Sequence, residues 1–265
     1  MSFETKFETI VYEKASGIAE IRFNRPGRLN AVVEALYDEL FAALGDAEED
    51  PSIRVVILTG EGRAFCVGAD MKEHGKGART PFQRREYLRR EQKVCMRIYS
   101  LGKPVVAAVN GYALGAGAEM AVASDFILMA ESARIGFPEI SIGAFLGGGV
   151  SHLLPQLIGL AKARELIFLG ERIDAPEAAA MGLANRVFPD ASFRDDARAF
   201  AQRLAEKAPL SMALAKDHLN KGISRGMDAA LATELEGMMF CSTTKDWQEG
   251  VDAFAEKRPP VFTGE

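Results

Sequence analysis

Two short apolar runs restrict the folds that this chain can adopt. Residues 55–58 (VVIL) are apolar on both faces, so a strand formed there must be covered on both sides, as in a parallel sheet. Apolar residues at helical spacing over 33–44 precede this run, and a second strand is predicted at 104–109. A small-residue helix at 115–124 and a strand at 126–129 continue the alternation. Strands that alternate with helices predict an α/β architecture.

The two ends of the chain depart from this alternation. Strand-like residues at 9–12 and 18–23 flank a turn at 14–17, which predicts a β-hairpin. After Pro189 the apolar residues follow helical spacing only. We therefore place a boundary near residue 200, followed by a helical C-terminal part.

Three sets of residues are expected to form the surface. The helices beyond residue 200 carry too many apolar stripes to bury against one another easily, so the stripes face either another subunit or the rest of the chain. The polar, glycine-bearing segment 74–90 predicts a mobile loop that leads into a helix. Arginines interleaved with glutamates predict a solvated helix face, which consists of Arg84, Arg85, Glu86, Arg89, Arg90 and Glu91.

The composition argues against several classes of function. The 37 acidic and 32 basic residues give a net charge of -5, which provides no general attraction to nucleic acid or to anionic membranes. No apolar run reaches the roughly 20 residues of a membrane-spanning helix and no signal peptide is recognisable, so a soluble cytoplasmic protein, or an already processed chain, is predicted. The three cysteines form no closely spaced pair, which argues against a disulfide scaffold or a zinc site. The glycine pairs lack the third glycine of a dinucleotide fingerprint, and no nicotinamide cofactor is predicted.

The junction between the strand at 104–109 and the next helix is the first candidate site. This helix begins with residues that have almost no side-chain atoms, Gly115, Ala116 and Gly117. The first amides of a helix have no hydrogen-bond partner within the helix. The N–H of Ala116 therefore points out of the helix start, where a ligand oxygen can approach it. Glu119 lies on the same face, and its side chain leans back toward that amide. A solvated glutamate beside the helix dipole is the alternative, but the apolar residues that follow favour a buried, functional carboxylate.

A second exposed amide is predicted at Ala69. Gly68 permits a tight turn, and Asp70 with Glu73 has the Asp-x-x-Glu spacing of a capping box, which gives Asp70 a structural part at a helix start. Ala69 then lies just outside that helix with its N–H free. Two amides that face one carbonyl oxygen form an oxyanion hole.

A third segment carries Glu139, which follows a short extended stretch at 135–137. Gly143 and the glycine run 147–149 come next, and glycines let the backbone approach a ligand closely. Taken alone, Glu139 fits a residue that caps a loop and a catalytic residue equally well.

These three segments, in this order, resemble the enoyl-CoA hydratase/isomerase (crotonase) superfamily. The likeness covers nearly the whole chain and rests on the motifs NRPGRLNA at 24–31, AFCVGAD at 64–70, NGYALGAGAE at 110–119, FPE at 137–139 and FAEKRP at 254–259. The resemblance implies an α/β fold in which repeated ββα units form a spiral core at 1–200. It also implies a helical trimerisation region at 201–265, in a homotrimer or a dimer of trimers.

The glutamates discriminate among the reactions of this superfamily. Its hydratases use one glutamate on the helix and one on the later loop, whereas simple isomerases usually keep only the later one. This chain has both, Glu119 and Glu139. The resemblance thus implies hydration of a trans-2-enoyl-CoA, with the amides of Ala69 and Ala116 as the oxyanion hole, Glu119 as the base for water and Glu139 as the source of the α-proton. Isomerisation or another reaction of a CoA thioester is the first alternative, and a non-catalytic acyl-CoA- or RNA-binding relative is the second.

The resemblance also implies where the CoA moiety lies. The residues implied are Arg28, Leu29, Ala31, Val67, Asp70, Met71, Lys72, Gly147 and Lys257, the last from the same or a neighbouring subunit. Arg28 and Lys72 fit ordinary surface charges equally well. CoA is part of the substrate, so neither a separate cofactor nor a metal is implied, and fatty-acid beta-oxidation is the expected setting.

Overall fold

The strands and helices follow the predicted alternation. The computed structural model describes residues 7–74, 80–222 and 225–265. The strands there are β1 (Ile10–Ala15), β2 (Ile18–Phe23), β3 (Val55–Gly60), β4 (Ala64–Cys66), β5 (Val105–Val109), β6 (Tyr112–Leu114), β7 (Phe126–Ala130), β8 (Arg134–Gly136), β9 (Arg172–Asp174) and β10 (Arg186–Phe188). The α-helices are α1 (Glu34–Glu49), α2 (Met71–His74), α3 (Pro81–Ser100), α4 (Ala116–Val122), α5 (Val150–Leu169), α6 (Ala175–Ala180), α7 (Phe193–Ala205), α8 (Pro209–Gly222), α9 (Met227–Cys241) and α10 (Lys245–Glu256). Short 3₁₀ helices lie at Pro26–Arg28 and Ile140–Ile142.

A six-stranded sheet forms the larger part of the core. Its strand order is β1-β2-β3-β5-β7-β10. The pair β1 and β2 is an antiparallel hairpin, and every later pair of neighbours is parallel. The central strands β3 and β5 are buried over 55–59 and 105–109. The hairpin, the covered parallel strand and the α/β architecture are therefore confirmed.

A second sheet, of four strands, brings the candidate site together. Its order is β4-β6-β8-β9, and β4, β6 and β8 run parallel to one another. Residues 67–69 follow β4 directly, residues 115–116 follow β6, and residues 137–139 follow β8. Because parallel strands end at the same edge of a sheet, the three segments meet there.

Helix α3 begins inside the segment 74–90, for which a loop that leads into a helix is predicted. The side chain of Thr80 accepts a hydrogen bond from the N–H of Gln83, and the side chain of Gln83 accepts one from the N–H of Thr80. This capping box, with Pro81 at the first helical position, starts the helix within the predicted loop. Residues 75–79 of that loop lie outside the described residues.

The solvated face predicted for α3 is wrong at one position. The arginines of this face, Arg84, Arg85 and Arg89, are exposed, and Arg90 pairs with Glu34 and Asp38 of α1. Glu91, in contrast, is only 8% exposed. It belongs to the inward stripe of the helix, which also contains Tyr87, Val94, Cys95 and Ile98.

The C-terminal helices pack on the core unevenly. The buried ammonium group of Lys216 in α8 donates to the Asp125 carboxylate at 2.7 Å and to the carbonyl of Ile98 at 3.1 Å, which ties α8 to the core. Helix α9 buries none of its residues. Its large apolar side chains are 50–73% exposed and comprise Met227, Leu231, Leu235, Met238, Met239 and Phe240. The apolar stripes of this region thus pack partly on the same chain, and on α9 they face outward.

None of the helices within residues 7–74, 80–222 and 225–265 combines the length and apolar character that crossing a membrane requires. No three His, Cys, Asp or Glu side chains in those ranges are grouped as a metal ion would need. Cys66, Cys95 and Cys241 are free thiols.

Candidate active site

The turn that precedes α1 supports the segment that carries Ala69. The buried side-chain amide of Asn30 donates to the carbonyl of Ala64 at 2.7 Å. The N–H of Val67 donates to the carbonyl of Leu29 at 3.3 Å. These bonds hold the turn against the end of β4.

The N–H of Ala69 points away from Val32, the residue that pairs with it. The N–H of Val32 donates to Gly68 at 2.8 Å, and the carbonyl of Val32 accepts from Asp70 at 2.9 Å. In this parallel bridge, residues 68 and 70 face Val32, and the N–H of Ala69 points to the opposite side. No acceptor in the described part of the chain bonds that N–H.

The N–H of Ala116 begins α4 in the adjoining segment. Gly115 has a φ of +54°, which side chains disfavour, and it turns the chain from β6 into the helix. A Cβ atom on Gly68 would lie 3.4 Å from the nitrogen of Ala116, so the two backbones are in direct contact. Among the described residues the N–H of Ala116 also has no acceptor.

Asp70 has the helix-capping contact that its spacing predicts. It is 7% exposed, and its carboxylate accepts from the N–H of Lys72 at 3.2 Å and from the Arg25 guanidinium at 3.0 Å. Arg25 also donates to the carbonyl of Ala31. The ion pair of Arg25 and Asp70 therefore ties the turn before α1 to the segment that carries Ala69. The side chain of Glu73, the other half of the predicted capping box, lies outside the described residues.

Glu119 is buried and bonded to the glycine run. It is 1% exposed, and its Oε1 atom accepts from the N–H of Gly147 at 3.0 Å. Its Oε2 atom accepts from the N–H of Gly148 at 2.5 Å. Two backbone donors stabilise the ionised form of a carboxyl group. Gly147, which the resemblance implies as a substrate contact, is therefore also a support for Glu119.

Glu139 faces the helix start from the other side. A Cβ atom on Gly115 would lie 2.8 Å from its Oε1 atom, and its Oε2 atom has no hydrogen-bond partner among the described residues. Burial raises the pKa of Glu139 to about 7, and the negative charge of Glu119 acts in the same direction. The carboxyl group of Glu139 is therefore protonated on the acidic side of this value and can donate a proton there.

Glu91 is a third buried carboxyl group, which sequence reasoning placed in solvent. A Cβ atom on Gly147 would lie 2.8 Å from Oε2 of Glu91 and 3.6 Å from Oε2 of Glu119. Burial, and then the charge of Glu119, raises the pKa of Glu91. A signal for this residue exists in the sequence, because Glu91 lies four residues after Tyr87 and four before Cys95, on the inward stripe of α3.

The other residues that the resemblance implies for CoA divide into two groups. Leu29 and Ala31 lie in the turn beside Val67, and the exposed residues near them are Arg28, Met71 and Lys72. Lys257 directly follows α10, far along the chain, and is also exposed. Within the described ranges, no hydrogen bond or ion pair joins its side chain to the first group.

The site thus places two unbonded amides beside buried carboxyl groups, at one edge of a parallel sheet. This arrangement defines a class of α/β protein with a backbone site for an oxygen anion. The model of the enoyl-CoA hydratase/isomerase family matches residues 13–265. The chain belongs to this family, as its motifs predict.

Individual relatives agree with this membership. The chain is 35% identical to the short-chain-enoyl-CoA hydratase of Clostridium acetobutylicum over 96% of its own length and 97% of that protein. It is 40% identical to a probable enoyl-CoA hydratase of Rhodobacter capsulatus over 97% and 99%. The crystal structure of an enoyl-CoA hydratase from Bacillus anthracis superposes with a TM-score of 0.94 at 37% identity, covering 97% of this chain and 100% of that one. These matches confirm the predicted fold class.

Proposed function

We propose that this protein is an enoyl-CoA hydratase that adds water across the 2,3 double bond of a trans-2-enoyl-CoA. The observation that carries the proposal is the convergence of two unbonded amides, at Ala69 and Ala116, with the buried carboxyl groups of Glu119 and Glu139. The family relatives named as hydratases favour this reaction over isomerisation, thioester hydrolysis or non-catalytic binding of acyl-CoA or RNA.

The amides act on the thioester carbonyl. Its oxygen accepts hydrogen bonds from Ala69 and Ala116, and each donor stabilises the enolate-like charge of the transition state by roughly 3–4 kcal/mol. Because this charge is stabilised, the β-carbon becomes a better electrophile for water.

The carboxyl groups move the protons. Glu119 takes a proton from the attacking water as the oxygen bonds to the β-carbon, and Glu139 gives its proton to the α-carbon. The net change is the addition of one water, and proton exchange with solvent restores both groups. General acid–base catalysis of this kind contributes about 10²–10⁴ to the rate.

The protonation state that Glu139 needs predicts how kcat/KM depends on pH. Glu139 must be protonated in the free enzyme to donate, and its pKa is about 7. We therefore expect kcat/KM for hydration to fall as the pH rises through about 7. Initial rates with crotonyl-CoA across this range measure the profile, and a rising profile would contradict Glu139 as the donor.

The remaining parts of the proposal concern binding and assembly. We propose no other cofactor. The residues to which we assign the CoA moiety are Arg28, Leu29, Ala31, Val67, Asp70, Met71, Lys72, Gly147 and Lys257, the last from the same or a neighbouring subunit. The region 201–265 is the proposed trimerisation region on a core of 1–200, and the exposed apolar side chains of α9 support a homotrimer or a dimer of trimers. Beta-oxidation in the cytoplasm is the proposed setting.

A product assay tests the proposed activity. The purified protein is incubated separately with crotonyl-CoA, a 3-enoyl-CoA and a saturated acyl-CoA. We expect loss of the conjugated enoyl absorbance of crotonyl-CoA and a product whose mass has increased by one water. Conversion of the 3-enoyl-CoA without hydration, or release of free CoA alone, would contradict the proposal.

A further inference from the structure

Glu91 is a buried acidic side chain that the proposed mechanism does not use. It projects from α3 toward the start of the glycine run, where a Cβ atom on Gly147 would lie 2.8 Å from its Oε2 atom. The same Cβ atom would lie 3.6 Å from Oε2 of Glu119, so both carboxyl groups lie against Gly147. Burial raises the pKa of Glu91, the neighbouring Glu119 raises it further, and the hydroxyl of Tyr37 acts in the opposite direction.

The titratable groups around Glu91 come from each element packed on it. Those that act most strongly on its carboxyl are acidic or phenolic. The surrounding groups are Tyr37 of α1, Cys66 of β4, Tyr87 and Cys95 of α3, Glu119 of α4, and Glu139 after β8. Two adjacent carboxylates in such surroundings cannot both remain ionised at low cost, so one of them retains a proton.

The hydrogen bonds differ between the two carboxyl groups. Glu119 accepts from the backbone N–H groups of Gly147 and Gly148, at 3.0 and 2.5 Å. Glu91 has no equivalent pair of backbone donors in the described part of the chain. Glu91 is therefore the better placed of the two to hold a proton and to donate it to its neighbour.

We propose that Glu91 is a positioning residue of the hydration reaction, a neutral carboxyl group that donates a hydrogen bond to Glu119. Together with the amides of Gly147 and Gly148, it holds the Glu119 carboxylate in the orientation needed to take a proton from water. This inference rests on the proposed hydratase function. It adds a third carboxyl group to the site, which acts through Glu119 rather than on the substrate.

Three variants separate a positioning effect from a structural one. Glu91→Gln keeps a neutral hydrogen-bond donor of the same shape, and Glu91→Leu removes the donor. Glu86→Gln makes the same chemical change on a partly exposed side chain of the same helix, in an ion pair with Arg89. Each variant is assayed for kcat and KM with crotonyl-CoA across the pH range. Infrared spectra of the resting proteins record the C=O stretch of protonated carboxyl groups.

The expected results differ for each variant. Glu91→Leu lowers kcat by about 10- to 100-fold without a matching rise in KM, because a misplaced catalytic group slows the chemical step. Glu91→Gln retains kcat within about tenfold, since its side-chain amide keeps a neutral hydrogen-bond donor beside Glu119. It also removes one protonated-carboxyl band, which Glu86→Gln retains. Both the wild type and Glu91→Gln lose activity as the pH rises through about 7, because Glu139 is unchanged. Only the wild type should show a further loss at higher pH, as Glu91 ionises beside Glu119.

Failure of the inference is distinguishable from failure of the proposed function. A Glu91→Leu protein with the kcat of the wild type would overturn the positioning of Glu119 by Glu91. A neutral-pH spectrum that Glu91→Gln leaves unchanged would overturn the protonated state, whatever the activity. A wild-type protein that shows the band but hydrates no enoyl-CoA would overturn the hydratase function, and the positioning of the base with it.

Discussion

Replacement of Glu139 or Glu119 by glutamine is expected to lower kcat for the hydration of crotonyl-CoA by about 10²- to 10⁴-fold, because each change removes a proton-transfer group and keeps its shape. The double variant should lose less than the product of the two single losses, since the two groups act in one step. Stopped-flow or steady-state rates of enoyl absorbance loss measure all three proteins.

The matched control for these variants is Glu131→Gln, an exposed glutamate just after β7. It makes the same chemical change outside the site and should leave kcat unaltered. Thermal unfolding checks that the variants fold, and Glu139→Gln should be no less stable than the parent above pH 7, because it removes a buried carboxyl group whose ionised form is disfavoured. A Glu139→Gln protein with the parent kcat would rule out the proposed division of proton transfers.

Replacement of Gly68 by alanine is expected to lower kcat by about 10²- to 10³-fold, which is the loss associated with one donor of an oxyanion hole. Gly68 has a φ of +84°, and a Cβ atom there would lie 2.9 Å from the carbonyl oxygen of Leu114. That contact forces the segment carrying Ala69 away from β6, so its N–H no longer meets the oxygen that Ala116 binds. The rate of crotonyl-CoA hydration measures the effect.

Gly182 provides a control with the same backbone requirement. Its φ is +86°, and a Cβ atom there would meet nothing closer than the Leu157 carbonyl oxygen at 3.6 Å. Both alanine variants lose roughly 1–2 kcal/mol of stability, because an L-residue disfavours this conformation. Only Gly68→Ala should lose activity, and equal kcat values for the two variants would show that the position of Ala69 does not matter.

The parts of the fold that the sequence predicts are those that depend on local patterns. The hairpin, the covered strand β3 and the start of α4 all follow from the spacing of apolar or small residues. Membership of the family follows from motifs that cover the same segments. The second sheet does not follow from spacing, because β4, β6 and β8 are only three residues long and lie far apart in the chain.

The error on α3 has a physical cause. The capping box of Thr80 and Gln83 fixes where the helix begins within 74–90, whereas the polar composition of this segment predicts only a loop that leads into a helix. Glu91 was assigned to the solvated face because its neighbours in the chain are arginines. A carboxyl group that shares the inward stripe with Tyr87 lies against Gly147 beside Glu119, and a single-sequence pattern carries no information on such partners.

The most direct test of the account is the structure of the protein with a bound 3-ketoacyl-CoA, which has the thioester but no double bond to hydrate. The account predicts that the thioester oxygen lies about 3 Å from the backbone nitrogens of both Ala69 and Ala116. The carboxyl groups of Glu119 and Glu139 should lie beside the α- and β-carbons. A thioester oxygen bonded elsewhere would contradict the proposed oxyanion hole. Carboxyl groups separated from the acyl chain by other side chains would contradict the proposed proton transfers.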